Sequence, residues 1–116
     1  MASSALPEIH LPMIRDDAGD LTAHLSISGA RQYVEAADVE DGVYEAFDAT
    51  GRRLRLYVDG EVVRMVPATD AEPDEGELRR RLISFFERLS RTRPEWGVAG
   101  EPSLQHLVDR LLTLQA

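Results

Sequence analysis

The segment from Tyr44 to Ala68, YEAFDATGRRLRLYVDGEVVRMVPA, constrains the fold of this 116-residue chain more than any other segment. Apolar and polar side chains alternate along most of it, as they do in strands that bury one face. The sequence DATG at 48–51 suits a type I turn closed by a glycine bulge, and Asp59-Gly60 suits a two-residue hairpin loop. The segment therefore predicts three antiparallel strands.

These turns predict a register with Arg55 opposite Arg64 and Leu56 opposite Val63. One face of the ribbon then carries an uninterrupted apolar set, which we expect in the core: Tyr44, Ala46, Leu54, Leu56, Val58, Val63 and Met65. The opposite face, called the outer face below, carries a second apolar set around a row of charges: Val43, Phe47, Tyr57, Val62 and Val66, with Glu45, Arg55 and Arg64.

The charged row of the outer face contains more arginine than carboxylate. Opposite charges on neighbouring strands stabilise a sheet, so we expect Glu45 to pair with Arg55, leaving Arg64 without a cross-strand partner. Arg64 then either points into water or receives a carboxylate from the N-terminal arm or from another chain. Because monomers seldom expose so much contiguous apolar surface, we expect the outer face to be covered by the arm or by a second copy in a homodimer.

Upstream of the ribbon, residues 21–28 also alternate between apolar and polar side chains. Gly29-Ala30 suits a turn into a second strand over residues 31–36. This register places His24 opposite Glu35, either as an exposed ion pair or as an acid–base pair. Residues 37–42, ADVEDG, then form a corner before the ribbon.

Downstream of the ribbon, the apolar period changes from that of a strand to that of a helix. Asp74 and Glu77 form a capping-box pair at a helix start, and that helix ends near Pro94. A second helix begins at Pro102, and Trp96 in the loop between the helices is expected to fill the gap beneath them. The two helices carry apolar stripes: Leu78, Leu82, Phe85, Phe86 and Leu89, then Leu104, Leu107, Val108, Leu111, Leu112 and Leu114.

The sequence thus predicts an α+β fold, with a five-stranded antiparallel meander sheet followed by two C-terminal helices packed on one face. Its length suits a single domain over residues 1–116. Within it we expect an extended arm over 1–19, the sheet over 20–67 and the helices over 74–115.

Few residues in the chain follow the patterns of known chemistry. Cysteine is missing, which excludes disulfides, zinc–thiolate sites and thiol nucleophiles. His10, His24 and His106 lie in three different elements, and DDAGD at 16–20 lacks the ligand spacing of a calcium loop, so that it predicts a turn. No nucleophile-elbow, phosphate-loop or dinucleotide motif occurs. We therefore predict no catalytic residue, no metal, no cofactor and no enzymatic activity.

The N-terminal sequence MASSALPEIHLPMIR has no basic start, and prolines interrupt its apolar residues, so it does not predict a signal peptide. No segment approaches the length of a membrane span. These features predict a cytoplasmic protein with no membrane partner. Lysine and asparagine, whose codons are AT-rich, are missing, which favours a bacterial source with a GC-rich genome.

The net charge of −8 disfavours nucleic-acid binding, which needs a basic surface, and favours a basic protein partner. Carboxylates concentrate between Arg31 and Arg52, where no other basic residue balances them. The expected partner-binding residues are four of these carboxylates flanked by the outer face: Glu35, Asp38, Glu40 and Asp41, with Phe47, Tyr57, Arg55 and Arg64.

The size, acidity and fold class together favour a bacterial immunity or inhibitor-type protein that neutralises a basic partner such as a toxin. Two alternatives remain from the sequence. One is a small-ligand protein or minor enzyme with a pocket between sheet and helices, lined by Tyr44, Phe85 and Trp96. The other is an acidic secretion chaperone, which differs from an inhibitor only in its client.

Overall fold

A computed structural model describes residues 9–68 and 71–116 of the chain. It contains a five-stranded antiparallel sheet in the order β2-β1-β3-β4-β5. The strands are β1 (Met13–Asp17), β2 (Asp20–His24), β3 (Tyr44–Phe47), β4 (Arg53–Asp59) and β5 (Val62–Pro67). The helices are α1 (Ile27–Arg31), α2 (Ala36–Glu40), α3 (Glu75–Leu89) and α4 (Leu104–Gln115), with a 3-10 turn at Pro94–Trp96. The predicted class, an antiparallel sheet followed by two C-terminal helices, is confirmed.

The N-terminal half of the sheet is built from other residues than predicted. The predicted arm supplies β1, so that the sheet begins at Met13, while residues 1–8 of the arm lie outside the described residues. β1 and β2 form a hairpin around Ala18 and Gly19, both at positive φ (50° and 99°), which confirms the turn predicted in DDAGD.

The predicted strand over residues 31–36 is wrong, because α1 and α2 occupy most of the chain between β2 and β3. Ser26 begins α1 as an N-cap, with its hydroxyl accepting a hydrogen bond from the Gly29 amide at 2.9 Å. Gly29 therefore lies inside a helix rather than in a hairpin turn, and the chain crosses one face of the sheet instead of extending its edge.

The predicted register of the β4–β5 hairpin is displaced by two residues. Tyr57, rather than Arg55, lies opposite Arg64, and the two-residue loop is Gly60-Glu61 rather than Asp59-Gly60. Gly60 is the first loop residue and has a φ of 66°, a conformation that glycine adopts without strain. Because side chains alternate with a period of two, the displacement leaves every side chain on its predicted face.

Helices α3 and α4 pack on the outer face of the sheet, over β1, β2 and β3. The resulting first core contains Ile14, Leu21, Ala23, Phe47, Leu78, Leu82, Phe86, Leu104, Leu107, Val108 and Leu111. Phe47 is completely buried in this core, so the chain's own helices cover this part of the outer face.

Helices α1 and α2 cover the opposite face of the sheet. The resulting second core contains Met13, Ala30, Val34, Ala46, Leu54, Val63 and Met65, with Tyr44 and Leu56 packed against it. Tyr57, Val62 and Val66 belong to neither core, and the side chains of Arg55 and Arg64 are exposed. The outer face of β4 and β5 is thus the part of the sheet with the least cover.

Helix α3 begins where the sequence predicts. Asp74 accepts a hydrogen bond from the Glu77 amide at 3.0 Å, which confirms half of the capping box. The other half is absent because the Asp74 amide donates to the Gly51 carbonyl and the Glu77 carboxylate binds arginines. Gly51 has a φ of 89°, and a Cβ there would lie 2.4 Å from the Asp74 carbonyl oxygen, so only glycine fits this contact.

Candidate partner-binding surfaces

The turn between β1 and β2 lies beside the α2–β3 corner. Strands β1 and β3 pair so that Asp17 lies opposite Tyr44, whose hydroxyl donates a hydrogen bond to Asp38 at 3.2 Å. Carboxylates that are distant in the sequence therefore gather at one end of the sheet. We call this group the acidic end: Asp17, Asp20, Asp38, Glu40 and Asp41.

The pKa of the Tyr44 phenol is raised above its usual value of 10.0. Its pKa is raised by burial, by the hydrogen bond to Asp38 and by the charges of Asp38 and Asp17, while Arg15 opposes the shift. Arg15 lies over the Tyr44 ring at 5.3 Å. A second arginine lies at the turn itself, where Arg88 donates a hydrogen bond to the Gly19 carbonyl at 2.6 Å between Asp17 and Asp20. Two arginines thus offset part of the negative charge of the acidic end.

The carboxylates nearest to α3 have a structural role instead. Arg81 contacts three of them: Asp16 at 2.8 Å, Glu77 at 2.8 Å, and Glu45. Asp16 is 7% exposed and also accepts a hydrogen bond from the Gly19 amide at 2.7 Å. This network holds α3 against the sheet. The ion pairs of Arg81 go to Asp16, Glu45 and Glu77, and not to the five residues of the acidic end.

Two large apolar side chains are exposed on the α1 side of the sheet. Tyr33 is 65% exposed and Leu25 is 72% exposed. The Tyr33 ring packs on His24 at 5.6 Å, and the Tyr33 carbonyl accepts a hydrogen bond from Arg15 at 3.3 Å. His24 and Arg15 therefore hold Tyr33 in place, while most of its side chain faces solvent. Tyr33 precedes the carboxylates of α2 in the sequence.

His24 lies beneath Tyr33 and does not pair with Glu35. It is 7% exposed, lies opposite Met13, and accepts a hydrogen bond at Nε2 from Arg15 Nε at 3.3 Å. Burial and the nearby guanidinium lower the pKa of His24 below its usual value of 6.5. The predicted cross-strand pair is wrong because residue 35 begins α2 instead of lying in a neighbouring strand.

The structure separates the predicted site residues into three places. Glu35, Asp38, Glu40 and Asp41 lie together in α2 and at its two ends. Arg55, Tyr57 and Arg64 lie on the outer face of β4 and β5, across the sheet from α2. Phe47 lies in the first core. The acidic and aromatic parts of the predicted surface therefore do not form one patch, and Tyr33 is the exposed aromatic residue nearest in sequence to the carboxylates.

The charges of the outer face pair differently from the prediction. Glu45 forms an ion pair with Arg53 at 3.3 Å rather than with Arg55. The Arg55 guanidinium lies 4.9 Å from the centre of the Tyr57 ring, and Arg64 lies 3.7 Å from an Asp59 oxygen. Both of these arginines are exposed, so a partner can replace these contacts with its own at little cost in free energy.

Sequence reasoning missed Asp17 and Asp20 in the acidic end, and the exposure of Leu25 and Tyr33. The signal for the two aspartates is the three carboxylates of DDAGD, a segment from which the sequence predicts only a turn. Leu25 and Tyr33 belong to a predicted hairpin whose second strand does not form. Their exposure follows from the helical path of the chain after β2.

The expected pocket between sheet and helices does not form from Tyr44, Phe85 and Trp96. Tyr44 packs against the second core, whereas Trp96 stacks on Phe86 at 5.9 Å on the other side of the sheet. Trp96 instead lines an open groove of about 390 Å³ with residues of α4.

Within residues 9–68 and 71–116, no three His, Asp or Glu side chains are grouped so that they could hold a metal ion. Among the helices of these same residues, none has both the length and the apolar character needed to cross a bilayer.

Comparison of the chain with protein-family models, with curated proteins and with solved structures gives no match. Its function is therefore argued from its surfaces.

Proposed function

We propose that this chain is a non-catalytic protein-binding protein of the immunity or inhibitor type, which neutralises a basic protein partner through the acidic end. The observation that supports the proposal is the convergence of Asp17 and Asp38 on either side of Tyr44, next to Glu40 and Asp41. A group of carboxylates at one end of the sheet attracts a cationic partner, because complementary charges speed association and favour the matching interface.

The surroundings of the acidic end suit a protein partner better than a small cation. Interfaces combine aromatic anchors with a polar rim, and Tyr33 offers a ring whose position is fixed by His24 and Arg15. Val43 adds exposed apolar area beside the β1–β2 turn, at 40% exposure. The net charge of −8 speeds the encounter with a basic protein and makes the association rate sensitive to salt.

The proposal is tested by affinity capture from bacterial lysates at low salt, followed by measurement of the dissociation constant for the purified partner. We expect a basic partner whose affinity falls steeply as salt is added. The double variant Glu40→Gln/Asp41→Asn should weaken binding by about tenfold or more. The matched control Glu95→Gln/Glu101→Gln removes two exposed carboxylates near the 3-10 turn and α4, and it should leave binding unchanged.

An acidic partner, or equal effects of the two double variants, would contradict the proposal. The identity of the partner also distinguishes the inhibitor from the secretion chaperone. A toxin that loses its activity on binding is the expected result, whereas an exported client that stays inert until release indicates a chaperone.

A further inference from the structure

The two edge strands of the sheet present their main chains to different surroundings. At the β2 edge, the Ala23 amide donates a hydrogen bond to Gln115 Oε1 at 2.7 Å, and Gln115 Nε2 donates one to the Ala23 carbonyl at 2.8 Å. The side-chain amide of Gln115 thus occupies the place that the main chain of a neighbouring strand would take. An edge blocked in this way is protected from pairing with another chain.

The β5 edge has main-chain groups that point away from the sheet. The Ala68 amide donates to the Arg53 carbonyl at 3.0 Å, which fixes the alternation of hydrogen bonds along the β4–β5 ladder. By that alternation, Arg64 directs its amide and carbonyl towards β4, whereas Val63 and Met65 direct theirs outwards. Among the residues that the structure describes, none forms a hydrogen bond with these outward groups of Val63 and Met65.

The two sides of the β5 edge differ in chemistry. On the side of the second core, a groove of about 360 Å³ lies between α1 and the start of β5. Its lining is mixed, with apolar Val34, Ala36, Val62 and Val63 beside polar Ser28, Arg31, Gln32 and Glu61. On the outer face, Arg64 and Arg55 are exposed, and Val62 is 37% exposed. A strand added here would direct alternate side chains towards this groove and towards the guanidinium groups.

We propose that the β5 edge binds an extended acidic segment of a partner polypeptide as a sixth strand of the sheet. Its small apolar side chains lie opposite Val63 and Met65, on the side of the groove, and the same residues exchange main-chain hydrogen bonds with β5. Its carboxylates lie on the outer face beside Arg64, where the charges are complementary. This surface is separate from the acidic end and does not depend on the function proposed for it.

The test uses the full chain labelled with ¹⁵N and a capped six-residue peptide of alternating valine and glutamate. We expect the peptide to shift the amide signals of Val63 and Met65 and to slow their hydrogen exchange. The Ala23 amide, which Gln115 already holds, should not change. A peptide of alternating valine and lysine should bind at least about tenfold more weakly, because it places cations beside Arg64. Methylation of the valine amides should abolish binding, because it removes the main-chain donors.

Arg64→Glu should reverse the preference in favour of the lysine peptide, and the exposed control Arg91→Glu should leave it unchanged. Equal binding of the two peptides, or shifts confined to other strands, would overturn the proposal. If the protein forms a concentration-dependent dimer in which the Val63 and Met65 amides are protected, the β5 edge binds a second copy of the chain and the proposal is overturned. Binding of a single-stranded oligonucleotide at Arg55 and Tyr57, without peptide binding, would also overturn it. The Glu40→Gln/Asp41→Asn variant should bind the glutamate peptide normally, which keeps this test separate from that of the acidic end.

Discussion

The first and second cores lie against opposite faces of one sheet, and helices of very different length close them. The first core is covered by α3 and α4, of 15 and 12 residues, and the second by α1 and α2, of 5 residues each. Short helices contain few internal hydrogen bonds and depend on tertiary packing for their stability. We therefore expect the first core to set the global stability, while the cover of the second core opens alone at a lower cost in free energy.

The starts of α3 and α2 differ in the same direction. Helix α3 has the Asp74 cap, and Arg81 ties it to Asp16 in the sheet. Helix α2 begins at Glu35 without a side-chain cap. Because α2 carries much of the acidic end, the proposed binding surface lies in the less firmly held layer. That surface can adjust to a partner without disturbing the first core.

Phe86→Ala should cause the largest loss of stability. Phe86 is completely buried and contacts both Phe85 and Trp96, so its removal leaves a cavity between α3 and α4. We expect the free energy of unfolding to fall by about 3–5 kcal/mol, measured by urea denaturation. Phe85→Ala, at a partly buried position of the same helix, should cost clearly less.

Met65→Ala tests the second core and should have a smaller effect. We expect a loss of about 2 kcal/mol, near the lower end for a buried methionine, because the short helices can settle into the cavity. Hydrogen exchange should rise first in the amides of α1 and α2. If Met65→Ala costs as much as Phe86→Ala and exchange rises everywhere, the two cores unfold as one unit and the distinction between them is wrong.

The helix caps offer a finer comparison between the two layers. Asp74→Ala should lower the global free energy of unfolding by about 1 kcal/mol, because α3 loses a hydrogen bond to its first turn. Ser26→Ala removes the corresponding bond from α1. We expect it to raise hydrogen exchange in α1 while the denaturation midpoint barely moves. Equal shifts of the midpoint for both variants would show that α1 contributes to global stability as α3 does.

Acidification should loosen the second core before the first. The pKa of His24 is lowered in the folded protein, so the unfolded chain binds the proton more readily as the pH falls below about 6.5. Folding therefore loses stability on the acidic side of that value and is unaffected by His24 above it. The effect should be seen as lower protection of the α1 and α2 amides between about pH 7 and pH 5, once the observed rates are corrected for the intrinsic exchange rate at each pH. It should disappear in His24→Gln and persist in His106→Gln, which changes an exposed histidine.

The C-terminal half of the fold was predictable because its signals are local. The DATG turn, the Asp74 cap and the two apolar stripes each depend on residues close together in the sequence, and the structure forms all of them. The facial assignment in β4 and β5 is correct although the register is not, because a displacement of two residues preserves the faces. Local patterns cannot show which face each helix pair will cover.

The N-terminal half required information that local patterns do not contain. Residues 21–28 alternate as a strand would, but the partner of β2 is β1, with Met13 and Ile14 completely buried, and not the predicted strand over residues 31–36. The acidic end, likewise, can be predicted only in part from local patterns. Its α2 carboxylates are neighbours in sequence and were predicted, whereas Asp17 joins them only through the long-range pairing of β1 with β3.

The contact of Gln115 with Ala23 has a consequence for how the protein forms during synthesis. The two residues are 92 positions apart, so β2 receives these hydrogen bonds only after α4 has been made. Strands β1 to β5 all emerge earlier, with the β2 edge still open to any extended chain nearby. Such late closure is slow, and until then it exposes the nascent sheet to misassembly. A cell that makes this protein quickly would benefit from a factor that shields the early strands until α4 arrives.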